Sequence, residues 1–132
     1  MKHAVHMLHH LSFAVRDLGR SKRFYDAVLG TIGYVCVWED ANAVGYGSAG
    51  GGDKFAIKLR ALGVAIPNEG FHVAFASPSR PAVDAFHRAA LAHGGLDNGG
   101  TGLHPEYGAD YYAAFVMDPD GYRIEAVIHD AV

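Results

Sequence analysis

Two short segments alternate apolar with small or polar residues, and the second copies the first. Residues 10–15 read His-Leu-Ser-Phe-Ala-Val and residues 72–77 read His-Val-Ala-Phe-Ala-Ser. Period-two alternation predicts a strand in each. Leu11, Phe13 and Val15 share one face of the first, and His10, Ser12 and Ala14 the other; Val73 and Phe75 oppose His72, Ala74 and Ala76 in the second. Asp17 and Ser79 follow at matching places, where each would cap a helix. The first helix is expected over Leu18–Leu29, with Phe24, Tyr25, Val28 and Leu29 as its apolar stripe and Gly30 as its stop. The second carries Val83, Phe86, Ala90 and Leu91, has Pro81 in its first turn and stops at Gly94-Gly95.

Strands are further expected over Gly33–Trp38, 43–47 and 54–60, the last two joined by a turn rich in Gly50, Gly51, Gly52 and Asp53. Residues 96–110 are the least regular stretch, with five glycines and prolines among them. A strand from Tyr111 to Met117, the tight turn Asp118-Pro119-Asp120-Gly121 and a strand from Tyr122 to Ile128 complete the chain. Phe55-Ala56-Ile57-Lys58-Leu59 lies over Tyr122-Arg123-Ile124-Glu125-Ala126, which makes Lys58 and Glu125 counterparts. The pattern is therefore α+β: two tandem βαβββ modules, about 5–62 and 68–130, in one domain spanning 1–132.

Composition narrows the function. With 132 residues the chain is one compact domain or two small halves sharing a core. The formal charge of −3 gives no basic field for nucleic acid. Cys36 is the single cysteine, which rules out an intrachain disulfide and a Cys-rich zinc site and fits a reducing cytoplasm. No run approaches the roughly 20 apolar residues of a membrane span, and the first eight residues do not read as a signal peptide. His3 and His6 read as surface histidines. The glycines of 47–52 lack the lysine and helix of a phosphate loop.

The histidine faces of the two repeated strands are otherwise small, so each imidazole has space beside it. Glu125 adds a carboxylate on the last strand. Two imidazoles and one carboxylate can hold Zn²⁺, Fe²⁺, Mn²⁺, Ni²⁺ or Co²⁺ and leave positions open to substrate. His104 and Tyr107 lie in the glycine-rich segment, either as a lid carrying a proton donor or as ordinary loop residues. Tyr111 and Tyr112 open a strand, so one faces the cleft and the other the opposite side. Trp38 and Tyr46 read as packing residues or as pocket lining, and Cys36 as a small hydrophobe.

Three segments carry a resemblance: Leu8–Leu18, the Phe24-Tyr25 pair with Val28-Leu29-Gly30, and Asp118–Glu125. Through them the chain resembles the vicinal oxygen chelate superfamily of glyoxalase I, bleomycin-resistance proteins, fosfomycin-resistance proteins and extradiol dioxygenases. The resemblance implies a mixed sheet curling around a cleft with helices outside, metal ligands at His10, His72 and Glu125, and a homodimer. It implies a small enzyme chelating an oxygenated molecule at a divalent metal, of lyase, isomerase or dioxygenase type. Glyoxalase I itself has a fourth ligand, a carboxylate, where this chain has Lys58. A protonated ammonium has no lone pair to give a metal, so standard glyoxalase I chemistry is disfavoured. Lys58 instead holds an anionic substrate or oxyanion, or pairs with Glu125 in a metal-free site. No basic cluster suits a phosphonate. The rival expectation is a non-enzymatic, metal-free binder of the bleomycin-resistance kind.

Overall fold

The computed structural model describes residues 7–130; His3 and His6 lie outside them. Each module follows the expected βαβββ order, but in the second the first of the three closing strands lies in the stretch read as irregular. The first contains β1 (Leu11–Val15), α1 (Leu18–Thr31), β2 (Val35–Glu39), β3 (Ala43–Gly47) and β4 (Phe55–Leu59). The second contains β5 (Val73–Ala76), α2 (Arg80–Ala92), β6 (Leu96–Leu103), β7 (Tyr112–Met117) and β8 (Arg123–Ile128). The strands form two four-stranded mixed sheets, ordered β1-β4-β3-β2 and β5-β8-β7-β6. In each sheet the edge pair, β1 with β4 and β5 with β8, is parallel, and the other pairs are antiparallel.

Local chemistry accounts for these boundaries. The Asp17 carboxylate accepts the Arg20 amide at 3.0 Å, and the Ser79 hydroxyl accepts that of Ala82 at 3.2 Å, so both expected caps are made. Helix α1 runs past Gly30 because its left-handed terminator is Gly33, at φ 95°. The glycines of 96–110 conceal a strand. Gly99 and Gly100 take φ values of 129° and 80°, and the register of β6 against β7 slips between Asp97 and Gly100. A bulge of this kind needs glycine, which is also what hides the strand from a propensity reading.

The register corrects one equivalence. Glu125 pairs with Ala74, two residues after His72, whereas Lys58 pairs with Ala14, four residues after His10. The true counterpart of Glu125 in β4 is Ala56, which pairs with Ser12. A shift of two leaves the apolar alternation intact, so sequence pattern cannot distinguish the two alignments. On either alignment, β4 offers no carboxylate.

One core joins the modules. Phe13 stacks on Tyr122 with ring centroids 4.0 Å apart, and Phe55 meets Phe75 edge-on at 5.2 Å. The turn between β7 and β8 is clamped onto the first module. Asp118 accepts the backbone N–H groups of Asp120, Gly121 and Tyr122 and the Tyr25 hydroxyl at 2.6 Å. Asp120 accepts Arg20 at 2.7 Å, Arg16 at 3.2 Å and the Ser21 hydroxyl at 3.3 Å. Both carboxylates are buried. Burial pushes the Asp118 pKa up from the ordinary carboxylate value, and the Tyr25 bond pulls against that rise.

Tyr25→Phe should lower the unfolding free energy by about 1–2 kcal/mol. The Tyr25 bond favours ionised Asp118, so the loss should be smallest at acid pH and grow as pH rises through the Asp118 pKa. Urea unfolding of both proteins between pH 3 and 7 measures it; a pH-independent difference contradicts the assignment.

Candidate functional site

Strands β5 and β8 bring one imidazole and one carboxylate together. Glu125 leaves β8 on the face that Ala74 and, by period two, His72 share. His72 Nε2 lies 3.0 Å from Glu125 Oε1. Tyr111 donates its hydroxyl to Oε2. Glu125 is 1% exposed while the His72 side chain is about half exposed, so solvent and ligands reach the pair from the histidine side. Burial, and then the bond to Glu125, raise the Tyr111 pKa well above that of an ordinary phenol. Both carboxylate oxygens are thus engaged, as a buried acid requires.

The pair borders a cavity of about 360 Å³ whose walls include Tyr107, Phe115 and Arg123. Its rim is a closed loop. The His104 amide donates to the Tyr111 carbonyl at 2.8 Å, and Tyr107 donates back to His104 at 3.0 Å. Gly108 sits against the His129 ring at φ 154°, leaving no room for a side chain. Tyr111 and Tyr112 divide as strand parity demands, Tyr111 toward Glu125 and Tyr112 toward Asp84 on α2 at 2.5 Å.

The other candidates scatter. His10 lies just ahead of β1, exposed, with its Nδ1 2.8 Å from that of His9. It lines a different cavity of about 460 Å³, walled by Tyr34, Phe55 and Phe75. Lys58 is exposed, borders neither cavity, and makes no ion pair with Glu125. His104 packs edge-on against Phe115 at 4.9 Å, with Nδ1 3.6 Å from Glu106, and supports the cavity wall without lining it. Tyr107 does line it and is 60% exposed. Tyr46 is buried, its hydroxyl donating to Asp26 at 2.9 Å, and it also borders the larger cavity, while the Trp38 indole occupies the space a side chain on Gly45 would need. Cys36 is half-buried, its Sγ 3.4 Å from the Trp38 carbonyl.

Two of the three expected ligands therefore meet within one chain and His10 does not, because β1 and β5 are edge strands of separate sheets. Among the described residues no three His, Cys, Asp or Glu side chains cluster closely enough for a metal. The pair itself fits an ion. An imidazole and a carboxylate are suitable donors for a divalent ion, which would take the place of the direct 3.0 Å hydrogen bond between them. Sequence reasoning missed Arg123 in this cavity, although its place two residues before Glu125 puts both side chains on one strand face.

This fold is shared with known proteins. The chain belongs to the Glyoxalase/Bleomycin resistance protein/Dioxygenase superfamily, whose family model matches residues 7–126. A glyoxalase/bleomycin resistance protein from Albidiferax ferrireducens T118 is 35% identical, with a TM-score of 0.78 over 92% of this chain and 98% of that one. A glyoxalase-related enzyme from Fulvimarina pelagi shares the fold at 20% identity, TM-score 0.69, over 93% of this chain and 88% of that one. A family enzyme from Burkholderia phytofirmans PsJN shares it at 15% identity, TM-score 0.67, over 92% and 97%. No curated protein matches the chain.

Tyr111→Phe leaves Glu125 Oε2 buried without its donor. It should reduce stability by about 1–3 kcal/mol, the usual cost of an unsatisfied buried polar atom. Urea denaturation is the measurement, and unchanged stability would show that the bond is not formed in solution.

Proposed function

We propose that the protein is a small metal-dependent enzyme that chelates an oxygenated small molecule at a divalent ion. His72 and Glu125 would hold the ion from one chain, and His10 from a second copy. The observation that carries this reading is a carboxylate buried to 1% exposure, one oxygen of which faces an imidazole 3.0 Å away on the cavity side. The dimer is supported by the free edges of β1 and β5 and by the separation of His10 from its two expected partners. Zn²⁺, Fe²⁺, Mn²⁺, Ni²⁺ and Co²⁺ all accept one carboxylate and two imidazoles.

Such an ion supplies Lewis acidity toward a bound oxyanion or enolate-like group. The chain's own residues do the rest. Tyr111 ties down Oε2, so Glu125 presents a single oxygen and keeps its orientation. Tyr107, at the rim, is the hydroxyl placed to exchange a proton with a molecule in the cavity. Phe115, braced by His104, keeps that wall apolar. Lys58, exposed on β4 and bordering neither cavity, would meet a bound molecule only if a neighbouring copy carried it there, as a charge toward an anion. Lyase, isomerase and dioxygenase reactions all suit this arrangement, in a reducing cytoplasm consistent with Cys36. No helix among the described residues is long and apolar enough to cross a membrane.

A metal-free binder of the bleomycin-resistance kind is the second reading. It is favoured by the larger, mostly apolar cavity beside Phe55 and Phe75. Calorimetric titration of the untagged protein with Zn²⁺ and Co²⁺ separates the two. His72→Ala and Glu125→Gln should each weaken binding by roughly 100-fold, at or above the upper range for loss of a ligand's supporting group. Refolding an equal mixture of His10→Ala and His72→Ala should restore about a quarter of the sites, since a two-fold dimer rebuilds one intact site in each mixed pair. Unchanged metal affinity in both single variants sinks the ligand set, and no restoration in the mixture sinks the shared site.

A further inference from the structure

Arg123 is a guanidinium without an acid. Among the described residues its side chain makes one hydrogen bond, a long contact to the Pro67 carbonyl, 3.4 Å from Nη1. Among the described residues no carboxylate lies within ion-pair distance of it; Arg16, Arg20 and Arg80 each have one, and of the other arginines, Arg23, Arg60, Arg88 and Arg123, it is Arg123 that lines this cavity. It is half-buried and lines the cavity that holds His72 and Glu125. A guanidinium carries five donors in a planar fork, and the Pro67 contact uses one. The remainder matches a carboxylate in two-point contact.

The rest of the cavity defines the body of such a ligand. Tyr107 and Phe115 offer aromatic faces, and about 360 Å³ suits a small ring compound. Glu69 and Glu125 outweigh Arg123 by one formal charge, so the bare cavity does not attract anions. A divalent ion on His72 and Glu125 reverses that balance and makes an anion the complementary guest.

We infer that Arg123 is the specificity-determining residue of this cavity and selects small aromatic or similarly planar molecules that bear a carboxylate. This rests on the metal-site reading for the sign of the cavity's charge. The carboxylate lies against the guanidinium, the ring lies between Tyr107 and Phe115, and the oxygenated end is directed toward His72 and Glu125.

Benzoate and benzamide are the test pair, equal in size and shape but different in charge. Calorimetric titration of the zinc-loaded protein should give benzoate at least tenfold tighter than benzamide. Arg123→Gln should erase the preference by weakening benzoate tenfold or more while leaving benzamide unchanged, which also shows that the cavity has folded. Arg123→Lys, which keeps the charge and loses the fork, should fall between. Equal binding of the two probes, no binding of either, or benzoate binding that survives Arg123→Gln each overturns the inference; the last places benzoate on the metal alone. Zinc binding is read separately in the same samples. Normal zinc affinity with no carboxylate preference defeats the role of Arg123 and spares the metal site. A preference that depends on Arg123 without zinc binding does the reverse.

Discussion

The buried acidic turn between β7 and β8 is the constraint on which the assembly of the two modules depends. Two carboxylates two residues apart are removed from water there, at 3% and 7% exposure. Such burial is costly unless each oxygen finds donors. The turn's own backbone provides three of them to Asp118. Every other donor, from Arg16, Arg20, Ser21 and Tyr25, comes from the first module. Neither module can therefore satisfy this turn by itself, and their docking is specified by charge as well as by apolar contact. Aspartates in a motif shared with metal proteins turn out to be structural ties, with no part in the chemistry of the cleft.

That docking decides what one chain can offer a ligand. Phe13 stacks on Tyr122 within the shared core, while Phe55 and the partly buried Phe75 meet at its border and wall the larger cavity. The opposite faces, bearing the histidines, remain with their own sheets, and β1 and β5 each keep an unpaired edge. Exposed strand edges invite pairing with another copy unless they are blocked. The split of His10 from His72 and Glu125 and the free edges are thus two consequences of one arrangement.

Most of the architecture was legible because it rests on short-range rules. Alternation marked β1 and β5, side-chain caps marked the starts of both helices, and the Asp-Pro-Asp-Gly turn marked the β7–β8 hairpin. What failed were features set by pairing. Strand β6 was invisible because its bulge demands glycines at positive φ, and glycine reads as loop. The mismatch of Lys58 with Glu125 arose because an alternating pattern looks the same after a shift of two, and only the ladder of β1 with β4 reveals Ala56 as the counterpart. Within the site, His72 and Glu125 were legible from the repeat and the terminal motif. Tyr111 was narrowed to one of two neighbours by parity, but its bond to Glu125 depends on how the 104–111 loop closes. His104 and Lys58 carried suitable chemistry in sequence and are placed elsewhere by the fold.

The duplicated halves have consequently diverged in charge while keeping one backbone plan. Where the second sheet carries Glu125, the first carries Ala56, and the indole of Trp38 rests on neighbouring Gly45, whose register partner is that alanine. The first module's open face is small and aromatic; the second holds the acid, its phenol and imidazole partners, and an arginine with no acid of its own. A buried carboxylate is stable only where donors converge, so polar chemistry concentrates in the half that built the loop supplying Tyr111. The first half is then free to contribute packing surface and a single histidine at its edge. Of the two histidines that head the repeats, one lies inside a hydrogen-bonded site and the other at an open strand end.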